Sequence, residues 1–158
     1  MEDIYQKEDL WVIDINDKLD KKLKNQSSKR VIPIHTRLIA LGFIQYVSML
    51  QKNKHTRLFP ELKKSRDGYS QAASKWFTRY RISCGVIDKD KAFHSFRHTT
   101  IDYFKQNKEI KSIMKAIAGH KDEDITTGLY GKAYEPLTLV SAIESLVFPI
   151  EVKKYESF

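Results

Sequence analysis

Cysteine is nearly absent from this sequence: Cys84 is the single one, so no disulfide can form within the chain. That usage is typical of a reducing compartment, and we expect a cytoplasmic location. Long apolar runs are absent too, since none approaches the roughly 20 residues of a membrane-spanning helix. Residues 1–9 are acidic and polar, unlike the basic and then apolar layout of a signal peptide. These absences argue against a secreted disulfide scaffold and against a membrane protein.

Glycine and proline are also scarce, with six and four residues, and no segment is repeated or of low complexity. The 158 residues correspond to one domain at the usual size of roughly 100–200 residues. A hydrophobic content of 41% argues against a disordered chain. We therefore expect a single folded domain with its own core.

The formal charge of +8 is concentrated in the middle of the chain. Residues 1–35 have a net charge of 0, residues 36–119 a net charge of +11, and residues 120–158 a net charge of −3. A solvated lysine-rich surface is one explanation. Clustered lysine and arginine are also the electrostatic footprint of a nucleic-acid-binding face. We predict that the densest basic side chains bind DNA: Arg57, Lys63, Lys64, Arg66, Lys75, Arg79 and Arg81.

The pattern of apolar residues predicts a mainly α-helical fold with a small antiparallel β-sheet near the N-terminus. Alternating apolar side chains predict strands over residues 10–15 and 30–34. Periodicity and capping residues, with Thr36 as one cap, predict five helices over residues 37–51, 71–83, 95–106, 108–118 and from 136 onward. A short helix or turn is expected over residues 122–129.

Two sets of helical apolar residues are expected in the core because of their spacing. One set lies between the basic residues and comprises Trp76, Phe77 and Tyr80. The other lies in the last helix and comprises Leu137, Val140, Ile143 and Val147. The tail from residue 149 is polar, and we expect it to be loose.

Five side chains could carry chemistry, although each has an ordinary structural explanation: Lys24, His94, Arg97, His120 and Tyr130. Lys24 lies in a lysine-rich loop, and His94 and Arg97 stand at a helix start. His120 follows a helix C-terminus, where a cation is favourable. Tyr130 could be a buried aromatic residue with a hydrogen-bonded hydroxyl. Taken one at a time, these residues indicate no particular function.

Taken together and in order, they resemble the tyrosine recombinases, the phage integrase family. Residues 94–99, His-Ser-Phe-Arg-His-Thr, resemble the family's His-x-x-Arg box. Gly119 and His120 resemble its Gly-His pair, and Tyr130 lies ten residues later, where the family places its nucleophile. Residues 23–35, Leu-Lys-Asn-Gln-Ser-Ser-Lys-Arg-Val-Ile-Pro-Ile-His, resemble the β-hairpin that carries the catalytic lysine.

The resemblance implies the DNA breaking-rejoining fold and site-specific recombination or integration. Tyr130 would attack a DNA phosphodiester and hold the 3′ end as a phosphotyrosine. Arg97 would bind the non-bridging oxygens through two hydrogen bonds, and His120 would donate to the same oxygens. His94 would assist proton transfer at the tyrosine hydroxyl, and Lys24 would protonate the departing 5′ oxygen.

The implied partners are double-stranded DNA and other recombinase protomers, including copies of this chain, and no membrane. No metal or nucleotide cofactor is implied, because the phosphotyrosine retains the bond energy for resealing. The family binds the scissile phosphate with two arginines, the first on a helix upstream of the sheet, and no arginine precedes Arg30 here. Loss of such a residue costs on the order of 10³-fold in rate, so we expect impaired cleavage.

We therefore expect residues 1–148 to be a partial catalytic domain without the family's N-terminal DNA-binding domain, followed by a loose tail over residues 149–158. A non-catalytic remnant that binds DNA or a full-length recombinase is the main alternative. A helical DNA-binding regulator is another, although no helix-turn-helix pattern is present. His94 and His98 have the spacing of two zinc ligands on a helix, but a closed zinc site needs four ligands, and no second cysteine accompanies them.

Overall fold

In a computed structural model, the chain is described over residues 1–19, 21–23, 25–66, 68–106, 111–119 and 134–156. The described strands are β1 (Ile4–Lys7), β2 (Leu10–Ile15) and β3 (Arg30–Pro33). The described α-helices are α1 (Thr36–Ala40), α2 (Phe43–Lys52), α3 (Ser70–Ser83), α4 (Ser95–Gln106), α5 (Lys111–Ala118) and α6 (Pro136–Glu144). This is a mixed α/β chain whose small sheet lies near the N-terminus, as expected. None of these helices is both long enough and apolar enough to cross a membrane.

The sheet is antiparallel throughout, in the order β1-β2-β3. Its register aligns Ile13 of β2 with Ile4 on one side and with Ile32 on the other. The strands over residues 10–15 and 30–34 were predicted, but β1 was not. The turn that joins β1 to β2 has positive φ values at Glu8 and Asp9, 49° and 64°. Such turns usually contain asparagine or glycine, so the usual sequence signal of a hairpin is missing here.

The single helix predicted over residues 37–51 is two helices, α1 and α2. The chain breaks at Gly42, which has a φ of 93° that favours glycine. A Cβ atom at Gly42 would lie 3.0 Å from the Cβ atom of Tyr155, so the backbone comes close to the end of the chain here. The predicted cap, Thr36, is also wrong: His35 is the N-cap, and its Nδ1 accepts a hydrogen bond from the amide of Arg37 at 3.0 Å.

Among the described residues, buried apolar side chains form two core clusters. One joins α4, α5 and α6 and comprises Phe104, Ile113, Met114, Ile117, Leu139, Ala142 and Ile143, with Ile32 of β3 packed against it. The other joins the sheet to α2 and is centred on Ile4, Ile34 and Val47. In α6 the predicted start at Pro136 is confirmed and Ile143 is buried as expected, but Leu137 is exposed, as is Val147 beyond the helix, and Leu139 is buried instead.

The C-terminal tail contacts the body of the chain, whereas a loose tail was expected. The amide of Tyr155 donates to the carbonyl of Leu41 at 2.8 Å, and its ring packs edge-on against Tyr46 at 5.3 Å. The Arg37 guanidinium donates to the carbonyls of Phe148 and Ile150. The division into residues 1–148 and 149–158 stays a prediction.

Candidate functional site

Arg97 and His94 lie together at the start of α4. The carbonyl of His94 accepts hydrogen bonds from the amides of Arg97 and His98, at 3.0 and 3.3 Å. These bonds form the first turn of α4 and fix the Arg97 backbone relative to His94. The His94 side chain is exposed, and its ring makes an edge contact with that of His98 at a centroid distance of 4.9 Å.

The side chain of Arg97 borders a cavity of about 220 Å³ between α4 and α5. The other lining residues are largely apolar: Phe96, Thr100, Ile101, Phe104, Ile117 and Ala118. No acceptor within the described residues bonds to the Arg97 guanidinium. A half-buried cation beside apolar walls interacts more strongly with an anion than a fully solvated one does. The position therefore suits the binding of a negatively charged group.

Arg30, the first residue of β3, reaches the same end of α5 from the sheet. Side chains alternate along a strand, so Arg30 and Ile32 lie on the same face, and Ile32 packs against the core cluster that contains Ile117. The Nε of Arg30 donates to the carbonyl of Ile117 at 2.9 Å, and its Nη1 donates to the carbonyl of Ser28 at 2.6 Å. Two donors of this guanidinium are therefore fixed by backbone oxygens.

The charges of Arg30 and Arg97 interact. Burial, and then the positive charge of Arg97, lower the pKa of the Arg30 guanidinium from its ordinary value. Arg97 in turn borders the same cavity as Ile117, whose carbonyl Arg30 contacts. Two cations thus converge on the C-terminal end of α5. This position of Arg30 was not predictable from the sequence, because a contact across 87 residues of chain brings it here.

Gly119 ends α5 as predicted, and its environment is described although that of His120 is not. Its φ of 67° lies in the left-handed region. A Cβ atom there would lie 2.9 Å from Cζ of Arg30 and closer still to Nη1. The backbone therefore favours glycine here, and any other side chain would have to displace the Arg30 guanidinium.

Three of the five predicted catalytic residues, Lys24, His120 and Tyr130, lie outside the described residues, as does the predicted turn over residues 122–129. The roles of these three residues stay predictions. Three described ion pairs involve the β2–β3 connection that contains Lys24. These are Lys18 with Asp14 at 3.7 Å, Lys21 with Asp3 at 2.6 Å and Lys29 with Asp17 at 2.8 Å.

The predicted DNA-binding residues have different environments. Five of them are exposed: Lys63, Lys64, Arg66, Lys75 and Arg79. Arg57 is half-buried, with its guanidinium 3.9 Å above the ring of Tyr69. Arg81 is only 8% exposed, and its Nη1 donates to the carbonyls of Val86 and Asp88 at 2.7 and 2.8 Å. Arg81 therefore holds the connection that leads from α3 towards α4, in contrast to the expected phosphate contact.

The expectation that Trp76 and Tyr80 belong to the core is wrong. They are 55% and 53% exposed, and their rings stack with centroids 5.2 Å apart and planes 6° from parallel. Phe77 is half-buried and makes edge contacts with Phe93 and Phe96, which are themselves exposed. The helical period places Lys75 and Arg79 four residues apart beside this pair. The outer face of α3 is therefore both basic and aromatic.

Possible metal ligands do not cluster in the part of the chain that the structure describes. No group of three or more His, Cys, Asp or Glu side chains there could hold an ion. Cys84 is exposed. Comparisons of the chain with protein-family models, with curated proteins and with solved structures found no match.

Proposed function

We propose that this chain cleaves and rejoins double-stranded DNA through a 3′-phosphotyrosine intermediate, the reaction of a tyrosine recombinase. The observation that carries the proposal is the position of Arg97. Its side chain borders the cavity beside the C-terminal end of α5, and that end leads directly through Gly119 to His120. This supports the proposal, because sequence resemblance assigns Arg97 and the Gly-His pair to one phosphate.

The proposed reaction is a transesterification at phosphorus. The Tyr130 hydroxyl oxygen forms a bond to the phosphorus atom as the bond to the 5′ oxygen breaks. The tyrosine proton passes to His94, and Lys24 donates a proton to the departing 5′ oxygen. A 5′ hydroxyl from another strand reverses these steps and reseals the backbone. The number of phosphodiester bonds is conserved, so no energy source is needed.

Arg97 contributes charge stabilisation in this scheme. The transition state spreads negative charge over the non-bridging oxygens, and a planar guanidinium can donate two parallel hydrogen bonds to them. Arg97 suits this task because no acceptor among the described residues competes for its donors. Such preorganised donors contribute most where water is excluded, and the apolar side chains around Arg97 favour that.

The experiment that tests the proposal does not require the target sequence. A pool of duplexes with randomised sequence, each carrying a nick, is incubated with the full chain, and covalent protein–DNA adducts are recovered after denaturation. The nick lets the short cleaved strand diffuse away, so resealing fails and the adduct accumulates. We expect adducts with the wild-type chain and none with Tyr130→Phe, which retains DNA binding. Sequencing the captured strands then gives the preferred site.

A second candidate function is DNA binding without cleavage. It is favoured by the outer face of α3, where the stacked Trp76 and Tyr80 lie beside Lys75 and Arg79. Basic side chains bind phosphates, and exposed aromatic rings add stacking on bases. Salt-dependent DNA binding by the wild-type chain, with no adduct from any member of the pool, would favour this function over cleavage.

A further inference from the structure

The end of α5 has more positive charge than its own stability requires. A helix C-terminus carries a partial negative charge and favours one cation within its last turn. Arg30 already meets that need, because its Nε donates to the Ile117 carbonyl at 2.9 Å. Arg97 makes no bond to this helix end among the described residues, yet its charge acts on Arg30. The second guanidinium is therefore not explained by capping.

The two arginines also have guanidinium N–H donors without a described acceptor. A guanidinium has five N–H donors, and the described hydrogen bonds of Arg30 use Nε and Nη1. No acceptor among the described residues takes a hydrogen bond from Arg97. Neither arginine is in a described ion pair with a carboxylate. Two neighbouring cations that no described carboxylate neutralises repel each other, and an anion bound to both would offset that repulsion.

Phosphate has the chemistry that this arrangement recognises. Its oxygens accept bidentate hydrogen bonds from guanidinium groups, and a phosphodiester spreads its single negative charge over two non-bridging oxygens that can accept from both arginines. Arg30 is held by backbone oxygens on one side, which leaves its remaining edge preorganised. Preorganisation lowers the entropy that a binding event costs.

We propose that Arg30 and Arg97 bind one DNA phosphodiester together, so that Arg30 supplies the second guanidinium of the phosphate site. The proposal rests on the proposed function and deepens it. Arg30 reaches this position from the first residue of β3, through its hydrogen bond to the Ile117 carbonyl.

The test is an NMR titration of the full chain with inorganic phosphate at constant ionic strength. The sequence has seven arginines, so their Nε–Hε signals can be assigned through single arginine-to-lysine variants. We expect the Arg30 and Arg97 signals to move together with one apparent Kd. Arg30→Met should raise that Kd about tenfold or more, because charge-assisted hydrogen bonds are lost. The Kd of Arg30→Lys, which keeps the positive charge but not the planar guanidinium, should lie between those of the wild type and Arg30→Met.

Arg37→Met is the matched control. Arg37 of α1 also donates to two backbone carbonyls, but these are the carbonyls of Phe148 and Ile150 near the C-terminus. Its loss should leave the Kd for phosphate unchanged. A second arm adds a short duplex, which should compete with phosphate for the same two signals if the ligand is a phosphodiester of DNA.

Two results of the titration would overturn the proposal. If only the Arg97 signal moves, or if Arg30→Met leaves the Kd unchanged, Arg30 serves only the helix end. If neither signal moves, the two arginines form no phosphate site. Failure of the proposed function would be a separate result. If both arginines bind phosphate but no Tyr130 adduct forms, the cleavage reaction is rejected and the phosphate site is retained. An adduct that forms at the wild-type rate in Arg30→Met rejects the role of Arg30 alone.

Discussion

The Arg30 guanidinium occupies the space that a side chain at Gly119 would need. A Cβ atom built on Gly119 would lie 2.9 Å from Cζ of Arg30, and the φ of Gly119 is 67°. The first residue of β3 and the residue that ends α5 are therefore matched to each other across the core. The position of Gly119, which directly precedes His120 in the sequence, depends on that match.

Gly119→Ala should lower the free energy of unfolding by about 2–4 kcal/mol. Left-handed backbone costs a residue with a Cβ atom about 1–2 kcal/mol, and displacement of Arg30 from the Ile117 carbonyl costs about as much again. Urea unfolding measures the total. In an Arg30→Ala background the same substitution should cost only the backbone part. An equal cost in both backgrounds would show that the guanidinium does not compete for this space.

Arg79→Gln and Arg81→Gln should have opposite effects, although the residues are two apart in α3. Arg79 is exposed, so its loss should lower the number of counterions released on DNA binding by about one. The free energy of unfolding should be nearly unchanged. Arg81 is buried and bonded to Val86 and Asp88, so its loss should destabilise the chain without changing the salt slope. Binding isotherms at several salt concentrations, with urea unfolding, separate the two. Similar salt slopes for both variants would contradict the assignment.

Arg97→Lys should slow formation of the covalent adduct by about 10²–10³-fold, because the two parallel hydrogen bonds to the phosphate are lost. The free energy of unfolding should stay close to that of the wild type, since no described residue bonds to the guanidinium. Rates of adduct formation on a captured duplex measure the effect. A variant that cleaves at the wild-type rate would remove Arg97 from the proposed site.

Glu144 should make stability depend on pH. Burial opposes its ionisation, but hydrogen bonds from the Thr36 hydroxyl and amide, with the charge of His35, outweigh burial and lower the pKa of Glu144 below 4.5. The carboxylate therefore stabilises the fold fully above pH 4.5, and this contribution is lost as the pH falls through the lowered pKa. Glu144→Gln should flatten the stability profile below that pH.

Urea unfolding at a series of pH values measures this profile. Glu135→Gln is the control, because its ion pair with Lys7 is exposed at the surface. Exposed pairs contribute little to stability, so the control should retain the wild-type pH dependence. A profile for Glu144→Gln that still falls in parallel with the wild type would show that other carboxyl groups cause the acid sensitivity.

Local patterns were sufficient to predict most of the helices. Ile113, Met114 and Ile117 of α5 have helical spacing and are buried together, and Pro136 begins α6 as its fixed φ favours. The break at Gly42 was not predictable, because Tyr155 packs there from the far end of the chain. The exposure of Trp76 and Tyr80 was not predictable either, since periodicity shows which residues share a face but not whether another element covers it.

The candidate site likewise has one part that the sequence predicted and one part that it did not. The His-x-x-Arg pattern of His94 and Arg97 is local, and it was visible in the sequence as the start of a helix. The contribution of Arg30 is not local, because its partners, Ile117 and Gly119, are nearly 90 residues away and on another element. The one available signal was the strand period that places Arg30 on the same face as Ile32.

The central claim is that Tyr130 becomes covalently bonded to DNA. Mass spectrometry of the proteolysed adduct from the nicked-duplex pool tests it most directly. We predict one modified peptide, with a nucleotide 3′-phosphate on the Tyr130 oxygen. The adduct should be lost in Tyr130→Phe and retained in Tyr134→Phe, a matched exposed tyrosine four residues later. Intact, DNA-binding protein that yields no adduct, or an adduct that persists in Tyr130→Phe, would contradict the claim.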